Sequence, residues 1–123
     1  MEKSTGGVDR VVKFWLESGQ MRYEIVLAPQ AAKAYQALPA YERAQVRDAL
    51  ERHLRHQPGR ISKSRIKRLR GLSRPQYRLR VGGVRIFYDI ATESVEILAI
   101  VTKAEAARWL AEHGTPDASG RAG

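Results

Sequence analysis

The fourteen residues from Tyr77 to Ile90, YRLRVGGVRIFYDI, leave this chain little freedom in how it folds. Apolar and polar side chains alternate on both sides of Gly82-Gly83, which predicts two strands joined by a two-residue turn, since glycine tolerates positive φ. Tyr77, Leu79 and Val81 point one way, and Arg78 and Arg80 the other. On the return strand Val84, Ile86, Tyr88 and Ile90 join the first set; Arg85, Phe87 and Asp89 join the second. The turn length also sets the register, so that Val81 opposes Val84, Arg80 opposes Arg85 and Arg78 opposes Phe87. One face of this hairpin has to be buried, and the rest of the chain must supply its cover. The following run, SVEILAIV from Ser94 to Val101, is nearly continuously apolar, as a strand at the centre of a sheet requires.

Upstream, RYEIVL (Arg22 to Leu27) reads as a first strand. Ala28-Pro29 opens a helix with an apolar stripe of Ala31, Ala34, Tyr35 and Leu38, and Pro39 breaks it. A second helix runs from about Tyr41 to His56, burying Val46, Ala49, Leu50 and Leu54, until Pro58-Gly59 ends it. Residues 60–75 carry few structural signals beyond Ile61, Ile66, Leu69 and Leu72. Lys103 to Glu112 forms a last helix. The predicted order is strand, helical hairpin, three-stranded antiparallel meander, helix: an α/β (α+β) domain over residues 21–113 with a four-stranded sheet. Residues 1–20 form an extension in which Val8, Val11, Val12, Trp15 and Leu16 suit a short amphipathic helix, or else precede a true start at Met21. Residues 114–123 are expected to be disordered.

Charge is concentrated. From Glu51 to Arg85 the chain places twelve Lys or Arg residues against one acid, so this window holds +11 while the whole chain holds +9. Such a gathering is built to meet a polyanion. Arg80 and Arg85 stand opposite each other at roughly 5 Å between Cβ atoms, and like charges across a ladder destabilise it. An anion between their guanidinium forks removes that conflict. Phe87 beside Arg78 adds an aromatic ring on which a base can stack. Arg65, Lys67, Arg68 and Arg70 in the preceding segment extend the same surface, so these four, with Arg78 and Phe87, are the RNA-binding candidates. The competing reading is a solvated sheet face without a ligand.

Other chemistries are excluded or disfavoured. There is no cysteine, hence no disulfide, thiolate metal site or Cys nucleophile. His53 and His56 lack a third ligand nearby, and no paired carboxylates flank the arginines, so neither a metal nor a cofactor is expected. No apolar run reaches the ~20 residues of a membrane span, and the N-terminus does not resemble a signal peptide. A cytoplasmic protein is the expectation.

The chain resembles the RelE/ParE superfamily of toxins from type II toxin–antitoxin modules. The resemblance runs from Tyr23 to His113 and is carried by KRLRGL (Lys67 to Leu72), the YRLRVGGVRIFYDI hairpin and VEILAIV (Val95 to Val101). It implies a curved antiparallel sheet and a cognate acidic antitoxin. In RelE-like members it also implies metal-independent cleavage of messenger RNA on the ribosome, inhibiting translation. Arg78, Arg80 and Arg85 match that family's functional hairpin residues. In RelE-type ribonucleases a basic cluster and a tyrosine follow the last strand, whereas this chain reads VTKAEAARWL. Lys103 is the base that remains, which makes Arg80, Arg85 and Lys103 the candidate catalytic set. ParE-type relatives, which poison DNA gyrase, do not depend on that set, so a non-catalytic binding toxin is the alternative. The antitoxin is expected on the basic face, with Trp109 and Leu110 either contacting it or packing on the sheet.

Overall fold

The computed structural model describes residues 22–117. The amphipathic pattern of Val8 to Leu16 and the end of the tail lie outside the described residues. In chain order the elements are β1 (Glu24–Leu27), α1 (Pro29–Ala37), α2 (Ala40–Ala49), β2 (Ile66–Arg68), β3 (Leu72–Arg74), β4 (Tyr77–Val81), β5 (Val84–Ile90), β6 (Ser94–Thr102), α3 (Lys103–His113) and β7 (Thr115–Pro116). Pro29 occupies the first turn of α1, and Leu38 turns extended before Pro39 and ends it. Arg43 Nη1 donates to the Leu38 carbonyl at 2.7 Å and closes the corner between the helices. The chain continues past α2 as a π-helical turn, Leu50–Leu54. This wider winding sends both Leu50 and Leu54 into the core.

The main sheet has the order β1-β6-β5-β4-β2, with β1 parallel to β6 and every other neighbour antiparallel. The hairpin register is the one the turn length demands: Val81 with Val84, Arg80 with Arg85, Arg78 with Phe87. Of its two glycines only Gly82 takes positive φ, at 57°, the pattern of a II′ turn. The sheet holds five strands rather than four. The extra one, β2, comes from the weakly patterned segment, where only Ile66 of three residues is buried and no alternation can show. The tail expected to be disordered from residue 114 is ordered at its start. There β7 pairs with β3, and the Asp117 N–H donates to the Gly71 carbonyl at 2.9 Å.

One face of the sheet carries the core. Ala31 of α1, Val46 of α2 and the two leucines of the π turn pack on Leu79, Ile86, Tyr88, Val95 and Ile97. Tyr88 is fully buried; its hydroxyl donates to the Pro58 carbonyl at 2.6 Å and its ring stacks on Tyr77 at 5.4 Å. The helical hairpin thus anchors its own exit turn to the central strand. The opposite face belongs to α3, whose first turn is capped by Thr102: Oγ1 accepts from the Glu105 N–H at 3.2 Å, and the Glu105 carboxylate answers the Thr102 N–H.

Candidate functional site

Cross-strand register groups the cations on the α3 face into two rows. Lys67, Arg78, Phe87 and Ala99 form one; Arg80, Arg85 and Val101 form the other. Arg80 is exposed and, among the described residues, has no hydrogen-bond or ion-pair partner for its side chain. Arg78 is half-buried, its Nε enclosed without a partner and its Nη2 only 3.4 Å from the Ser64 carbonyl. Desolvation holds its pKa below the ordinary guanidinium value, and the charges of Arg85 and Arg80 push it the same way.

Arg85 does not join Arg80 in an open clamp. It is 8% exposed, and its Nη1 donates to the Gly82 carbonyl at 2.9 Å and to the Val84 carbonyl at 3.1 Å. The side chain folds back onto the tip of its own hairpin, where two carbonyl dipoles offset the like charge opposite. Phe87 also departs from expectation. Far from offering a free ring, it is 1% exposed and stacks on Trp109 at 5.3 Å with an interplanar angle of 10°. A β-bulge explains the fit: Tyr88 pairs with Ile97 and Phe87 with Ala99, so Leu98 is the extra residue and a small side chain lies beside Phe87. The indole of Trp109 covers Phe87 there and also meets the His113 ring at 5.0 Å. Of the two alternatives for Trp109, packing on the sheet is the one observed. The presence of Trp109 and Leu110 in the last helix was the signal that this face is covered, because such a helix needs something to cover.

The remaining candidates disperse. Lys103 begins α3, exposed, with its backbone N–H on the Gly83 carbonyl at 2.9 Å, so it neighbours the hairpin tip. Its charge sits at a helix N-terminus, where a cation is electrostatically unfavourable. Lys67 stays on the arginine face. Arg68 lies over the Tyr77 ring at 5.2 Å and donates to the Gln76 carbonyl at 2.8 Å, which commits it to the β2 edge. Arg70 is exposed in the turn before Gly71, whose φ is 76°. Arg65 lends its carbonyl to the Arg80 N–H at 2.9 Å, but helps to line a cleft beside His53. The acids of the α3 face are already engaged: Arg74 approaches Asp89 at 3.5 Å and Glu96 at 3.3 Å, and Asp89 also accepts from the Gln76 N–H at 2.7 Å. Sequence reasoning did not find that Arg74-centred cluster, because its members are brought together only by the β4–β5–β6 register.

Comparison with known proteins agrees with this architecture. The family profile described as the ParE toxin of the type II toxin–antitoxin system parDE matches residues 25–107, from β1 into α3. Among solved structures the chain is similar to the archaeal RelE–RelB complex from Pyrococcus horikoshii OT3. Identity is 27% and the TM-score 0.52, over 68% of this chain and 97% of that one. No curated protein matches the chain.

Proposed function

Because the chain belongs to the ParE toxin family of type II toxin–antitoxin systems, and with it to the RelE/ParE superfamily, we propose that it is a cytoplasmic toxin that acts by binding a protein target rather than by cutting RNA. The observation that carries this reading is the state of the arginine hairpin. A phosphate clamp needs two free guanidinium forks, whereas Arg85 is buried on its own turn carbonyls and Phe87 is sealed beneath Trp109. What stays accessible is a cationic ledge that runs from Lys67, beside Arg78, to Arg80 and Lys103 near the hairpin tip. Such a ledge suits an acidic protein surface. The target proposed is DNA gyrase, that of the ParE-type relatives the chain resembles, and the inhibitor a cognate acidic antitoxin that competes for the same ledge.

One observation favours the second reading, metal-independent cleavage of ribosome-bound messenger RNA. Arg78 is desolvated and holds an Nε without a partner, a state that an arriving phosphate would relieve. The two readings separate after induction of the full chain in the absence of antitoxin. Loss of gyrase supercoiling activity, with no new 5′ ends by primer extension on translated messages, supports the binding toxin. New message ends with supercoiling intact overturn it in favour of the ribonuclease.

A further inference from the structure

A cationic concavity flanks the arginine hairpin at the sheet edge formed by β2, on the side of the helical hairpin. A cleft of about 470 Å³ opens between the end of the helical hairpin and the loop that leads into β2. Arg52, His53, His56, Arg60 and Arg65 line it, with buried Ile66 at its base, and no carboxylate contributes to the lining. Local structure builds each wall. The π turn Leu50–Leu54 rewinds the helix where His53 leaves it, a departure that concentrates at functional sites. The Pro58-Gly59 turn reverses the chain, and Arg60 Nη1 is steadied by Gln57 Oε1 at 3.0 Å. Ser62 then closes a tight loop: its Oγ accepts from the N–H groups of Arg65 at 3.0 Å and Ile66 at 2.9 Å, and its own N–H reaches the Ile66 carbonyl at 3.0 Å. Arg65 is presented from that loop.

Two features suit the cleft to an anion. Arg52 pairs with Asp48 at 3.1 Å, but Arg60 and Arg65 have no acidic partner among the described residues. His56 Nδ1 is enclosed and without a hydrogen-bond partner. A concavity lined by one sign of charge focuses potential on its interior, and a buried polar atom without a partner costs free energy unless a ligand meets it.

We propose that this cleft is a phosphate-binding site, in which Arg60 and Arg65 grip the anion and the His56 Nδ1–H donates to it. Guanidinium forks match the oxygen spacing of phosphate, and an excess of cations over anions favours a multiply charged group over a single carboxylate. The site is distinct from the cationic ledge, since none of Lys67, Arg80 and Lys103 lines it. His53 reports on occupancy. Burial, with the charges of Arg65 and Arg52, holds its pKa below the ordinary imidazole value, while Asp48 pulls weakly the other way. A phosphate among these groups, facing His53 together with His56 and Arg60, supplies the opposite field and raises it.

The test follows the histidine ring resonances of the full chain by NMR. Inorganic phosphate is titrated in one arm and a short single-stranded RNA oligonucleotide in the other. Saturable shifts of His53 and His56 are expected, with the His53 midpoint moving to higher pH. Arg60→Ala and Arg65→Ala should each weaken binding about tenfold, the loss of one charge-assisted hydrogen bond. Both residues are exposed, and a thermal melt confirms that each variant folds. Saturation by phosphate assigns a small phosphorylated ligand; saturation by the oligonucleotide alone assigns the backbone of a nucleic acid. Arg80→Ala should leave either response intact, which keeps this readout apart from any loss of toxicity. No shift in either arm, or shifts that survive in the Arg60→Ala/Arg65→Ala double variant, overturns the proposal.

Discussion

Arg80 and Arg85 face each other across one hairpin, yet alanine should move stability in different directions at the two positions. Arg85 is buried, and its charged guanidinium donates to two backbone carbonyls. Hydrogen bonds to charged groups contribute about 1.5–3 kcal/mol each. The Gly82 carbonyl lies at the exposed tip and regains water on truncation, so roughly one bond is lost in net terms, together with packing of the aliphatic stem. Relief of like charge against Arg80 and Arg78 returns at most about 1 kcal/mol. Arg85→Ala should therefore destabilise by about 1–2 kcal/mol, a fall in Tm of about 5–15 °C for a domain of this size. Arg80→Ala removes an exposed side chain without a partner and should stay within about 0.5 kcal/mol of the parent, on the stabilising side. In the Arg85→Ala background its benefit should shrink, because of the two charges it opposed only that of Arg78 remains. Urea denaturation of both single variants and the double variant measures all three terms. The reasoning is refuted if Arg85→Ala is as stable as the parent, or if Arg80→Ala is the more damaging of the two.

Trp109→Ala removes the ring that seals Phe87; it should cost about 2–4 kcal/mol through lost area and lost stacking, read as a lower urea midpoint. Gly83→Ala should be nearly neutral, since a Cβ there meets nothing within 4 Å, whereas Gly82→Ala at φ 57° should cost about 1 kcal/mol or more in the same assay. Burial holds the Asp89 carboxyl above its ordinary value, against the pull of the Gln76 N–H and Arg74. The folded state then keeps that proton longer than the unfolded chain, so stability falls as pH rises from the unfolded value of about 3.9 through the raised folded value. Asp89→Asn should flatten this slope in a pH series of urea midpoints, and a slope unchanged by the substitution counts against the assignment.

What could be read in the sequence, and what could not, divides along the range of the physics involved. Turn length and two-residue periodicity act within a hairpin, so the pairing of Arg78 with Phe87 and of Arg80 with Arg85 was legible before any coordinate. Pro39 likewise marked the helical break from local sterics alone. Periodicity assigns a side chain to a face but does not say what else occupies that face. Phe87 does share a face with Arg78, yet it is buried rather than exposed, because Trp109, distant in sequence, docks there. Arg85 departs from an open clamp for a related reason: a long guanidinium can turn back onto its own turn carbonyls, and no pattern of residue types records that choice. The third case, β2, was hidden by brevity, since one buried residue in three gives no period to detect.

Phe87 and Arg85 bear on chemistry together. Cleavage of a phosphodiester requires preorganised donors aimed at the charge that develops, in an enclosed site where they act at full strength. On this face α3 closes the end that holds Phe87, and Arg85 is withdrawn at the other, so the accessible cations lie on a ledge open to water. Charges in that setting are screened and contribute little to a transition state, but they steer an acidic partner and speed its association at low salt. A binding toxin needs only this. On the proposed reading the same exposure would make it easy to neutralise, because an acidic antitoxin segment laid along the ledge would meet Lys67, Arg80 and Lys103 without having to open a pocket or displace Trp109. By mass action such a partner also stabilises the folded toxin it silences. If the proposed ledge serves both, inhibitor and target would compete for one surface, and the outcome would follow from their relative concentrations rather than from any change in the fold.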